Sequence, residues 1–256
     1  MNQPEAGGTQ ETFISHLIEL RDRLIKCLLA FALVLIPMIV PPWFLAGQLY
    51  DFLALPMMQA LPQGSRMIAT GVITPFFIPV KIGMLVAFMV PLPYLLYQAW
   101  AFVAPGLYVH EKRLVLPLII SSTILFLVGM AFCYFFVFKV VFAFVAEFAP
   151  KSINVAPDIE AYFSFVLGMF VAFGLTFEVP VVVVVLVRTG LVSVDKLREL
   201  RPYVIVGAFI VAAVVTPPDV MSQLLLAIPL CLLYEAGIWV SYFFVKPRVA
   251  DDASSA

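Results

Sequence analysis

Glu178 is the only charge in a long apolar run: Ala161 to Val187 reads AYFSFVLGMFVAFGLTFEVPVVVVVLV. A carboxylate carried into a bilayer costs roughly 3 kcal/mol on insertion-type scales. Such a group is either a protonated acid hydrogen-bonded to another helix, or a polar point that meets a substrate or a proton. Glu235 falls at a similar depth in the last apolar run, where a buried packing contact is expected. Two further carboxylates have basic surroundings: Arg21 and Arg23 near Glu19, Lys112 and Arg113 near Glu111. Local ion pairing there would be worth little. Placed together at one membrane interface, the two would instead suit guanidinium groups, which carboxylates accept through paired, planar hydrogen bonds. A third group is Thr216-Pro217-Pro218-Asp219 with Ser222 and Gln223. It reads either as a solvated turn capped by Asp219 or Ser222, or as polar atoms that dock a partner helix for about 1 kcal/mol each.

Nothing beside these groups signals an enzyme. His110-Glu111-Lys112-Arg113-Leu114 is not HExxH, no GxSxG or P-loop spacing occurs, and His16 and His110 are the only histidines. Cys27, Cys133 and Cys231 lie far apart among apolar residues and read as small hydrophobes. No catalytic residue, metal site or cofactor is expected.

The elements that must position these groups are membrane helices. The chain of 256 residues is 63% hydrophobic and 12% charged, with a mean hydropathy of +1.07, whereas soluble domains have roughly 25% charged residues. The net charge of −1 carries no nucleic-acid signal. Residues 1–11 read as a disordered polar tail. Phe13, Leu17, Leu20 and Leu24 recur at helical spacing among charges, as in a surface helix that leads into a span. No cleavage pattern of a signal peptide follows, so that first run is read as a retained span.

The six expected spans cover about 24–46, 76–98, 114–142, 161–187, 203–216 and 222–245, within a membrane domain of 12–246 and before a tail of 247–256. Pro37, Pro41 and Pro42 should bend or shorten the first span, Pro91 and Pro93 should break the second, and residues 47–75 read as a loop. The fifth run, Val204–Val215, is short, about 18 Å at 1.5 Å per residue. With both termini cytoplasmic, Arg21, Arg23, Lys26, Lys112, Arg113, Arg188, Lys196, Arg198, Arg201, Lys246 and Arg248 fall inside. Only Arg66, Lys81, Lys139 and Lys151 fall outside. Eleven basic residues against four set that orientation.

His16-Leu17-Ile18-Glu19-Leu20-Arg21, Leu61-Pro62-Gln63-Gly64-Ser65, Tyr97-Gln98-Ala99-Trp100-Ala101-Phe102, Phe177-Glu178-Val179-Pro180, Arg201-Pro202-Tyr203 and Thr216-Pro217-Pro218-Asp219 occur in this order. Together they resemble the TatC family, the C subunit of the twin-arginine protein translocase, over residues 12–246. The resemblance implies an all-α protein of six tilted helices in a concave, glove-like arrangement, its last two helices too short to cross fully. It implies a bacterial inner-membrane receptor for signal peptides carrying paired arginines on folded cargo. TatA-type and TatB-type single-span subunits would be its partners, in an oligomeric complex driven by the proton-motive force. Glu19 and Glu111 would receive the arginines, with Arg21 and Phe102 beside them. Glu178 would be the polar point of the membrane face, Gln223 would help dock a partner helix, and Pro56, Asp158 and Asp219 would support function from the outer side. Gly71 stands where many relatives carry an acid, which weakens any role for an outer-loop acid there. Two rival readings are a proton-coupled small-solute transporter, with Glu178 as the proton site, and a purely structural scaffold.

Overall fold

The computed structural model describes residues 7–39, 44–61, 66–103, 112–148, 156–216 and 219–244. Glu111, residues 62–65 and the Pro217-Pro218 pair lie outside the described residues. All the regular structure described is helical: α1 (Gly7–Ile39), α2 (Phe44–Ala60), α3 (Thr74–Met89), α4 (Leu92–Val103), α5 (Lys112–Phe132), α6 (Phe138–Phe148), α7 (Ile159–Arg188), α8 (Val194–Glu199), α9 (Arg201–Val215) and α10 (Val220–Phe244). A π-helical turn, Cys133–Val137, joins α5 to α6. Among the described residues, three helical stretches are long and apolar enough to cross a bilayer: Leu116–Phe148, Ile159–Arg188 and Val220–Tyr242. The pair α3–α4, bent by 57°, makes a fourth if counted as one span, and α9 is apolar but shorter. The charges from Glu19 to Lys26 leave α1 uninterrupted apolar sequence only from Cys27 onward.

Residues 47–75 are not all loop, because α2 occupies the first part. Leu53, Ala54 and Met57 recur on one face of α2 and are buried, and Pro56 sits inside the helix without ending it. Burial of that face outweighs the local cost of the proline.

The chain divides into two compact units, residues 1–123 with 142–167, and residues 124–141 with 168–256. In the first, α1 packs on α3 and α4, and α2 on α3. Polar bonds brace it. Trp100 Nε1 donates to Ser122 Oγ at 2.8 Å in a buried setting, and Tyr162 Oη donates to the Leu53 carbonyl at 2.6 Å. An isolated parallel bridge between Ile68 and Asp158 ties the segment before α3 to the start of α7.

Aromatic packing holds the second unit. A Cβ on Gly174 would overlap the ring of Phe126, which is fully buried, and one on Gly129 would lie 2.6 Å from the Phe173 carbonyl oxygen. Only glycine lets α5 and α7 approach this closely. Gly190, with φ of +74°, closes the end of α7, and Ser193 caps α8 by accepting from the Lys196 N–H. Leu197 then seats α8 against Val183, Val187, Tyr234 and Ile238.

Candidate functional site

Glu19 lies on α1 at a cavity of about 480 Å³, lined also by Ser15, Asp22, Arg23, Tyr97 and Gln98. α1 turns these side chains to one side because 15, 19, 22, 23 and 26 are spaced by three or four residues. Opposite them, α4 contributes Tyr97 and Gln98, and the Trp100–Ser122 hydrogen bond anchors α4 a few residues further on. Arg23 donates to Glu19 Oε1 from Nη2 at 2.6 Å and from Nε at 2.9 Å, and from Nη1 to Gln98 Oε1 at 3.2 Å. The other carboxylate oxygen lies 4.0 Å from His16 Nδ1, and the His16 ring stacks on Phe102 with centroids 4.4 Å apart. Phe102 thus reaches the Glu19 neighbourhood through His16. Arg21 turns away, donating to Asp22 at 2.8 Å with most of its side chain exposed.

Arg23, Gln98 and His16 complete this site, and the first two left a trace in the sequence. Arg23 is one helical turn from Glu19, and Gln98 is a lone amide in an apolar stretch. The stacking of His16 on Phe102 joins α1 to α4 and has no such trace.

Glu178 is buried in α7, 6% exposed, with Thr176 buried close by. Pro180 follows inside the same helix and cannot donate to the carbonyl one turn back, which loosens the backbone at that point. α10 crosses there: a Cβ on Gly237 would stand 2.9 Å from Pro180 Cα. Glu235 does not make the buried packing contact expected of it. Its side chain is 38% exposed, and Arg201 Nη2 donates to it at 2.7 Å. The pairing partner sits at the start of α9, where no local pattern in α10 could announce it.

The remaining positions cap and stitch. Asp219 accepts the Ser222 N–H at 2.7 Å, as a helix N-cap does, and the Gln223 side chain donates to the Phe209 carbonyl at 3.2 Å, linking α10 to α9. Asp158 accepts from Thr70 Oγ1 at 2.8 Å, from the Thr70 N–H at 3.1 Å and from the Ala161 N–H at 3.0 Å. The Ala161 N–H, then the Thr70 hydroxyl and N–H, hold its carboxyl below the usual carboxylate range. A Cβ on Gly71 would overlap Thr74 Oγ1, which donates to Glu160, so the absence of an acid at 71 leaves that contact room. Among the described residues no cluster of three or more metal-ligating side chains occurs.

The sequence profile of the family described as Sec-independent protein translocase protein (TatC) matches residues 15–229. The Sec-independent protein translocase protein TatC of Haemophilus influenzae is 47% identical over 245 residues, covering 96% of this chain and 93% of that protein. Its counterpart in Escherichia coli is 48% identical over 235 residues, covering 92% and 90%. The fold matches a crystal structure described as the twin arginine translocase receptor TatC, with a TM-score of 0.78 and 37% identity over 89% of this chain and 98% of that one. A profile and relatives spanning nearly the whole chain set aside the solute-transporter reading. The chain belongs to the TatC family, non-enzymatic membrane components of the Sec-independent protein translocase.

Proposed function

We propose that this protein is the receptor that recruits twin-arginine signal peptides to the translocase, with Glu19 and Glu111 as the carboxylates that take the two arginines. The observation that carries the proposal is the Arg23–Glu19 contact. In the resting protein, Glu19 already accepts a guanidinium through two converging N–H donors, beside a cavity of about 480 Å³. A signal-peptide arginine would take the place of Arg23. Although Arg23 is part-buried, a pair between residues one helical turn apart is worth only about 0.3–1 kcal/mol, so the exchange is cheap. Hydrogen bonds to charged groups contribute roughly 1.5–3 kcal/mol, or one to two decades in affinity.

In this reading six spans place both termini in the cytoplasm of a bacterial inner membrane. The apolar part of the signal passes along the membrane face toward Glu178, and Gln223 and Asp219 support docking of a TatA-type or TatB-type helix at the outer side. Pro56 and Asp158 shape that outer side. The proton-motive force supplies the drive. A site-specific crosslink between a twin-arginine peptide and the protein, made in membranes, tests this. The Glu19→Ala, Glu111→Ala double variant should lose the crosslink while still co-purifying with its partner subunits. An undiminished crosslink rules the receptor site out.

A further inference from the structure

A second cavity, of about 500 Å³, opens where α8 and α9 meet the end of α10. Arg198, Arg201, Ile238, Trp239 and Tyr242 line it. Its construction is specific. Leu197 is buried, and Tyr234 Oη donates to the Leu197 carbonyl at 2.8 Å, so the residue before Arg198 is held by side chain and backbone alike. Arg201 begins α9, and one of its N–H groups is taken by Glu235 at 2.7 Å. A guanidinium carries five such donors, so the pair with Glu235 orients Arg201 without exhausting it. Glu235, Ile238, Trp239 and Tyr242 follow one another at helical spacing, which brings the paired carboxylate and the cavity wall onto one face of α10.

Trp239 and Tyr242 are about two-thirds exposed, at the end of an apolar stretch long enough to cross a bilayer. Large amphipathic aromatics of this kind settle at headgroup level. Leu232 and Ile228 continue the exposed apolar surface of α10 away from the cavity.

We infer that this cavity binds an anionic glycerophospholipid, its phosphate held by Arg198 and Arg201 and its acyl chain lying along Leu232 and Ile228. The forked donors of two arginines match phosphate oxygens, and basic pockets between membrane helices are where anionic headgroups lodge. Soluble phosphate shares the headgroup chemistry but has no use for the apolar track, which decides for the lipid. Asp195, 3.7 Å from Arg198, is almost fully solvated and offsets it only weakly, whereas Glu235 offsets much of the Arg201 charge; the attraction therefore rests mainly on Arg198, with Arg201 contributing its further N–H donors. Glu235 is then a positioning residue.

The test is native mass spectrometry of the full chain, released from micelles doped with equal phosphatidylglycerol and phosphatidylcholine. The unaltered protein should retain phosphatidylglycerol about tenfold over phosphatidylcholine. The Arg198→Gln, Arg201→Gln double variant should lose that preference, and Arg188→Gln should keep it. Because the double variant leaves Glu235 without its partner and could fail to fold, Arg198→Gln alone serves as the second variant and should reduce the preference severalfold. Glu235→Gln should weaken retention less than loss of either arginine. Unchanged retention in folded Arg198→Gln and double variants overturns the site. Displacement of phosphatidylglycerol by millimolar inorganic phosphate overturns the lipid as occupant.

Discussion

Glu19 and Glu235 are both carboxylates gripped by an arginine, yet the two pairs are built differently. Arg23 reaches Glu19 from one turn along the same helix, at 2.6 Å, while Arg201 reaches Glu235 from a separate helix, at 2.7 Å. The first pair needs only that α1 be helical, and in the proposed receptor it is traded for a visiting guanidinium. The second exists only when α9 lies against α10, and it holds an arginine in place. In the roles proposed above, similar chemistry presents an anion to a cationic guest at one site and a cation to an anionic guest at the other.

The largest expected effect separates them directly. Glu19→Ala should weaken binding of a twin-arginine peptide by about one to two decades, while Glu235→Ala changes it by less than about threefold, because the contact it loses is with Arg201 and with no residue of the Glu19 site. Fluorescence anisotropy with a labelled peptide measures both, and equal losses would break the distinction. Next, Trp100→Phe should lower stability by about 0.5–1.5 kcal/mol, since it removes the buried hydrogen bond from Trp100 Nε1 to Ser122 Oγ. Thermal unfolding in detergent reads this, and peptide binding should fall with it if α4 is a wall of the Glu19 site. An unchanged melting midpoint would mean that α4 is held by other means.

Asp158 offers a control, a carboxylate held by hydroxyl and backbone N–H groups instead of an arginine. Its pKa is lowered in the folded chain, so its contribution is fully present above the ordinary carboxylate pKa. That contribution is lost as pH falls through the lower, folded value. Hydrogen exchange at the Thr70 amide should accelerate in that acid window relative to its intrinsic rate. Asp158→Asn should show no such step, and a step that survives the substitution would assign the titration elsewhere. The smallest effect is expected of Arg23→Gln. Removing an internal competitor worth about 0.3–1 kcal/mol should tighten peptide binding by no more than about fivefold. A tenfold loss instead would make Arg23 part of the receptor surface and end the contrast with Arg201.

Much of the Glu19 site was legible because its geometry is local. Positions 15, 19, 22, 23 and 26 share a helix face by spacing alone, and Gln98 and Phe102 lie within a single recognisable motif. The helical character of α2 was hidden by Pro56 and the turn formers that follow, and burial of Leu53, Ala54 and Met57 decided it. The Glu235 pairing was hidden for another reason. Its partner is thirty-four residues away, and a carboxylate in an apolar run looks the same whether it is packed inside or paired at an edge.

By itself the sequence determined that this is a helical membrane protein, which residues carry charge within apolar runs, and which ordered motifs tie it to its family. These follow from hydropathy and from contacts within a few residues, where spacing along the chain is distance in space. Only the tertiary structure decided that Arg201 reaches Glu235, that His16 stacks on Phe102, and that Gly174 admits the Phe126 ring. Each of these joins separate helices, and their meeting depends on how whole faces pack, which no local pattern of residues encodes.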